Sequence, residues 1–327
     1  MRSGTYLEAL YQAAFDAALA DGRVVFLGAD LGGPGAAALP IRAELEERFF
    51  SRILPTPISE MALAGAGIGM ALAGLRPLVD LSTSAFMFQG IAQIVNESAN
   101  VHYMTGGASR APVVFYGRNG IRGAGAAQHS HCLQEFLASV PGLQLLLPAT
   151  AADAYAMLRW ALLDSPNPTV LLSHPQLFAL VGAYDMEDAL PVGRSRVVRQ
   201  GDAAVVVTSS VMVLRSLAAA EEVRQLTGKE VAVVDLRSLR PLDLEPAIGL
   251  ARASGRVLVV DEGHGRFGVA AEVAQAITEA AFDRLRAPVA RLTSADTPIP
   301  FSPPLEQAVM VDAAKITKAL TELLARG

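Results

Sequence analysis

The chain has 327 residues, of which 52% are apolar and 18% charged, and its formal net charge is −5. That length carries roughly two domains with cores of their own, and the composition excludes a disordered chain. The charge offers no basic surface to nucleic acid, and the lone Cys132 excludes both an intramolecular disulfide framework and a cysteine-based zinc site.

The N-terminal stretch reads as an amphipathic helix over Thr5–Ala20, without the continuous apolar core of a signal peptide. Nowhere do about 18 apolar residues run together, so no membrane span and a cytoplasmic location are expected. Buried strands are expected at Arg23–Gly28, Ala111–Gly117, Leu143–Pro148 and Pro168–Ser173. Between them the pattern predicts helices over Glu60–Ala73, Gln89–Tyr103 and Ala151–Asp164, the last capped by Thr150. Alternation of this kind predicts an α/β fold, a parallel sheet with helices on both faces. A composition shift near Tyr184–Val192 marks a linker, placed at 185–192. Beyond it the pattern restarts with strands at Ala203–Ser209, Glu230–Leu236, Arg256–Glu262 and Ala287–Thr293. Helices are expected at Val213–Leu226, Leu244–Ala253, Val269–Phe282 and Leu305–Leu324. The expected organisation is thus a domain over 1–184, the linker, and a smaller domain over 193–327. Abundant Ala and Gly among the apolar residues favour close packing and a large subunit interface.

Glu60 heads a segment made almost wholly of Ala, Gly, Leu, Ile and Met, "EMALAGAGIGMALAG". A helix that is small and apolar all round is buried and closely approached, and a buried acid must be paired, protonated or at work. Ser59 capping the helix, with Glu60 favourably placed in its first turn, is the structural reading; a working acid is the functional one, and the two are compatible.

His129 and His131 stand together in "GAGAAQHSHCLQEF", after small residues and before a helix start near Gln134. An H-x-H pair is half a metal site and no nearby cluster completes it, so proton transfer or oxyanion contact is the better reading. His102, His174 and His264 have no such context and read as structural. Neither "GADLGGPG" nor "GHGRFGVAAE" has the spacing of a dinucleotide or P-loop motif, and no G-x-S-x-G elbow supports serine hydrolysis.

Taken in order, "LPTPISEMALAGAGIGMALAGLRP", "FMFQGIAQIVNESANVHYMTGG", "GAAQHSHC", "VPGLQLLLPATAADAYAML", "VAVVDLRSLRPLD" and "APVARLTSADTPIPFSPPLE" resemble the β subunit of thiamine-diphosphate-dependent 2-oxo acid dehydrogenases. The resemblance is collinear over essentially the whole chain. It implies two parallel-sheet three-layer domains, a transketolase-like pyrimidine-binding domain followed by a transketolase C-terminal-type domain. It also implies that Glu60 hydrogen-bonds N1′ of the cofactor's aminopyrimidine and favours its imino tautomer. Phe86 matches the aromatic packed on that ring, with Gln89 beside it among the cofactor-binding residues. His129 matches the histidine near the reacting carbon, and His131 stands where the family has Gln, a position that modulates substrate choice.

No "GDG…N" element for Mg²⁺ and diphosphate is present, so the resemblance implies that an α subunit supplies it in an α2β2 heterotetramer. A lipoyl acyltransferase core is the implied partner, a 2-oxo acid the substrate, and K⁺ near Asp164 and Asn167 an implied ion. Departures from the family pattern are Ala29, Ala92 and Ser173 in place of acids, besides His131. Two other readings stay open: the C-terminal half of a split transketolase-like carboligase, and a non-catalytic assembly subunit.

Overall fold

The structure is a computed structural model that describes residues 2–28, 36–186 and 189–326. In chain order it contains β1 (Arg2–Thr5), α1 (Tyr6–Ala20), β2 (Val24–Leu27), α2 (Pro40–Arg48), β3 (Ile53–Leu54), α3 (Glu60–Leu72), β4 (Arg76–Thr83), α4 (Val101–Met104) and β5 (Val114–Arg118). Next come α5 (Ala126–His129), α6 (Gln134–Ala138), β6 (Gln144–Leu146), α7 (Ala151–Leu163), β7 (Thr169–Ser173) and β8 (Val181–Tyr184). The remainder holds β9 (Arg196–Arg199), β10 (Ala204–Thr208), α8 (Val211–Thr227), β11 (Val231–Asp235), β12 (Ser238–Arg240) and α9 (Glu245–Ser254). After these follow β13 (Val257–His264), α10 (Val269–Ala281), β14 (Ala290–Ser294), α11 (Pro303–Val309) and α12 (Ala313–Leu324).

Two compact units result, one of Met1–Asn119 with Ser139–Val192, the other of Gly120–Ala138 with Gly193–Gly327. In the first, parallel strands run in the order β6-β7-β5-β4-β2-β3. Strands β2 and β7 are buried at every position, which is why their sequences read as unbroken apolar runs. Helix α3 lies so close on β4 that a Cβ at Gly67 would sit 2.4 Å from Val79 Cγ2. Any larger residue there would overpack this contact, at a cost of about 1–3 kcal/mol. A separate antiparallel ribbon joins β1 to β8.

The second unit has the sheet order β14-β13-β10-β11-β9, parallel except for the antiparallel edge strand β9. Its central strands β10 and β11 are likewise buried throughout.

Several expected elements differ in detail. The helix expected over Gln89–Tyr103 is broken into a 3-10 stretch Ser84–Gly90, a π-helical stretch Gln93–Ser98 and the short α4. The Ser98 hydroxyl and the Ala99 N–H both bond the Ile94 carbonyl, at 2.6 and 3.3 Å, which widens the turn. The helix expected over Leu305–Leu324 is two helices, because Met310 leaves the helical region and Asp312 caps α12, accepting the Lys315 N–H at 2.8 Å. Thr150 caps α7 as expected, accepting the Asp153 N–H at 3.1 Å.

Candidate active site

Helix α3 begins at Glu60, but Ser59 does not cap it with its side chain. With φ −162° and ψ 87° its hydroxyl makes no cap bond, and only its carbonyl enters the helix, accepting the Leu63 N–H at 2.9 Å. The capping reading of Ser59 is therefore corrected, while Glu60 keeps its place in the first turn, where the helix dipole favours an anion. Glu60 is 8% exposed. Among the described residues its carboxylate has no hydrogen bond or ion pair. An acid at so low an exposure is costly unless paired.

The 3-10 stretch Ser84–Gly90 packs on the start of α3. A Cβ at Gly90 would lie 3.1 Å from the Glu60 carbonyl oxygen and 3.3 Å from Ala64 Cβ, so glycine permits the approach. Phe86 on this stretch is half-buried and Gln89 is exposed. Glu60, Phe86 and Gln89 are thus brought to neighbouring elements of the first unit.

His129 and His131 belong to the segment Gly120–Ala138, which clusters with the second unit. Its backbone carries Ala124 at φ 50° and Ala126 at φ 56°, unusual for residues with a Cβ and indicative of a conformation held from outside. The anchors are specific. The Ala124 N–H donates to Glu306 Oε2 at 2.7 Å, and Ile121 joins a small core with Ile299 and Met310. Cys132 Sγ lies 4.0 Å from Glu262 Oε2, and Gln134 Nε2 donates to Asp261 Oδ1 at 3.3 Å. At the far end Arg240 Nη1 donates to the Ala138 carbonyl at 2.9 Å. His129 is half-buried and His131 exposed. Cys132 is partly exposed as a residue, yet burial of its thiol, with Glu262, Asp261 and Glu135 close by, pushes the pKa well above the ordinary value and keeps it protonated. The anchoring role of these acids does not show in the sequence, since they lie more than 120 residues away.

The other histidines have structural partners. His102 Nδ1 is 3.0 Å from the Ser109 carbonyl oxygen, His264 Nδ1 is 3.0 Å from that of Ala295, and His174 Nδ1 accepts the Gln176 N–H at 3.1 Å. Asp164 is the exposed C-cap of α7, and the Asn167 carbonyl accepts the Ser165 hydroxyl at 2.9 Å. The Arg76 guanidinium already bonds the carbonyls of Ala161, Leu162 and Ser165 at this corner. Of the departures, Ser173 is fully buried with its hydroxyl 2.9 Å from that of Tyr6, Ala92 is exposed, and Ala29 lies outside the described residues. Among the described residues no group of three or more His, Cys, Asp or Glu is placed to hold a metal ion, and no helix is long and apolar enough to cross a membrane.

Comparison with known proteins assigns both halves. Residues 4–179 match the family model of the transketolase pyrimidine binding domain, and residues 193–316 match that of the transketolase C-terminal domain. A solved structure titled "Split gene transketolase, inactive beta4 tetramer" has the same fold, with a TM-score of 0.79, 21% identity and 99% of each chain covered. The fold is therefore that of the paired transketolase pyrimidine and C-terminal domains. Among curated proteins, "Pyruvate dehydrogenase E1 component subunit beta" of Rhizobium meliloti (strain 1021) is 34% identical over 98% of this chain and 70% of its own length. The mitochondrial "subunit beta-1" of Arabidopsis thaliana is 36% identical over 96% of this chain and 88% of its own. The chain belongs to the β-subunit family of thiamine-diphosphate-dependent 2-oxo acid dehydrogenases, in the company of the pyruvate dehydrogenase type. Membership implies thiamine diphosphate as cofactor and an α subunit as partner.

Proposed function

We propose that this chain supplies the pyrimidine half of a thiamine diphosphate site in an α2β2 enzyme that oxidatively decarboxylates a 2-oxo acid of the pyruvate or branched-chain type. The acyl group then passes to a lipoyl carrier on an acyltransferase core. The observation that carries the reading is Glu60, a buried carboxylate at a helix start with no partner among the described residues. Such a group fits a cofactor nitrogen that must be held with a proton. When bound, thiamine diphosphate supplies the nucleophilic carbon and the electron sink.

In this reading Glu60 would hold a proton at the pyrimidine N1′ of the bound cofactor. Phe86 would pack against the ring, and Gln89 would be a further cofactor-binding residue. His129 serves the reacting carbon, and His131 tunes substrate choice. Mg²⁺ and the diphosphate are held by the α subunit, since this chain has no "GDG…N" element. A potassium ion on backbone oxygens near Asp164 and Asn167 belongs to the same proposal, as do domain limits at 1–184 and 193–327 around a linker at 185–192. A cytoplasmic location is likewise proposed, although the plant relative is mitochondrial by name.

The test is reconstitution. The purified chain with thiamine diphosphate and Mg²⁺ should show no 2-oxo acid turnover, and adding its α subunit should create it. Turnover by the chain alone would overturn the two-subunit reading, and so would an α-containing complex that binds cofactor yet never reacts with any 2-oxo acid.

A further inference from the structure

The segment bearing His129 and His131 ends in α6, and there the second unit buries more acid than its anchoring requires. Glu135 points from α6 at the C-terminal end of β13 and the turn that follows it. A Cβ at Gly263 would lie 1.9 Å from Glu135 Oε1, and one at Gly268 would lie 3.0 Å from the same atom. Glycine at both positions leaves room for this carboxylate and little else. Asp261, two residues before Gly263 on β13 and therefore on the same face of the strand, is 8% exposed. Its Oδ1 accepts from Gln134, the residue before Glu135, while Asp261 Oδ2 and Glu135 Oε1 are buried oxygens that no donor reaches. Two buried carboxylate oxygens without a donor, one on α6 and one on the strand face it is aimed at, are what a single shared proton would satisfy.

We propose that Glu135 and Asp261 form a one-proton carboxyl–carboxylate latch that fastens the histidine-bearing segment to the end of β13, and that loss of the proton loosens it. The surroundings agree. Burial first, and then the charge of Asp261, push the Glu135 pKa from 4.5 up to about 8, against one backbone hydrogen bond from His264. Burial also raises Asp261, offset by backbone bonds from Gly263 and Glu262 and by the Gln134 amide. The two carboxyls titrate as a pair, in which the charge left by the first ionisation opposes the second. Other charged groups here are Glu262, whose Oε1 is 3.9 Å from Arg215 Nη1 on α8, and Arg240, engaged with the Ala138 carbonyl. Helix α10, packed on α6, carries Glu272 in its first turn. None of these cations bonds Glu135.

The sign follows from linkage. A carboxyl whose folded pKa is raised stabilises the latched form fully below about pH 4.5, and that contribution is lost as pH climbs to about 8. Glu135 is thus a positioning residue, acting through the segment rather than on substrate.

Hydrogen exchange of the full-length chain, followed over the 120–138 amides from pH 5 to 9, tests this without any catalysis. Relative to Glu135→Gln, whose amide can donate as the protonated acid does, opening of the wild-type segment should grow by up to about tenfold per pH unit and level off near pH 8. In Asp261→Asn the levelling should move to lower pH, because the opposing charge is gone. Identical pH dependence in wild type and Glu135→Gln would overturn the latch. Should Glu135→Gln not fold, an unmoved levelling point in Asp261→Asn would overturn it instead. The activity arm rests on the proposed function: in the reconstituted enzyme, an alkaline fall near pH 8 should vanish in Glu135→Gln. Failure of that arm alone, with exchange as expected, would count against the role of His129 and leave the latch standing.

Discussion

Helix α3 and the segment Gly120–Ala138 place their chemical groups by opposite means. In α3 the local sequence does the work, since small residues let a regular helix press onto β4 and onto the 84–90 stretch, and Glu60 arrives at the helix start by periodicity alone. The histidine segment has only the short α5 and α6, with two alanines at positive φ, and it owes its shape to Glu306, Glu262, Asp261 and Arg240 from far along the chain. The first kind of site is hard to move and easy to neutralise. The second is easy to move, because each anchor is a single bond.

Changes at the two places should therefore fail differently. The largest effect is expected for Glu60→Gln. A neutral amide of the same shape should leave stability within about 1–2 kcal/mol, while the rate of the reconstituted enzyme falls about 10²–10⁴-fold. Proton exchange at the cofactor's reactive carbon measures it, and an unchanged exchange rate would reduce Glu60 to a dipole-favoured helix start. Next in size, His129→Ala should impair acyl transfer to a lipoyl group more than cofactor binding, whereas His131→Gln should shift substrate preference or the pH profile. Imidazole titrates near neutrality and an amide does not. Separate assays of decarboxylation with an artificial acceptor and of acyl transfer decide it: a silent His129→Ala beside an inactive His131→Gln would exchange the two roles. The smallest effect is expected for Glu306→Ala, which removes the acceptor of the Ala124 N–H. A loss of about 1–3 kcal/mol in thermal or denaturant unfolding, with faster exchange confined to the segment, is the expected result. A uniform loss across the second unit would mean that the segment is not separately anchored.

The same contrast explains what was legible in the sequence. Fully buried strands such as β2, β7, β10 and β11 show as apolar runs, and all four were expected within a residue or two. Strand β4 was missed because Arg76, Pro77 and Asp80 interrupt its run; Arg76 is buried by capping the end of α7, a contact 85 and more residues away. The ribbon of β1 and β8 is half exposed and has no alternation to betray it. Glu60 was conspicuous as the one acid in an apolar helix. Glu306, Asp261 and Glu135 were not, since nothing local distinguishes an acid that receives a distant backbone N–H from one that faces water.

Strand β9 has a consequence for a chain whose proposed partner is another protein. It is the antiparallel edge of the second sheet, and its sequence "RVVR" ends in arginines. Arg199 bonds Glu221 at 3.2 Å and Glu230 at 2.8 Å. A second chain adding a strand along this edge would have to set its backbone beside two guanidinium groups and disturb that ion-pair cluster. Open sheet edges polymerise when they are long, flat and apolar; this one is four residues long and guarded at both ends. The β subunit made ahead of its partner is thereby protected, at this edge, from fibrous self-association.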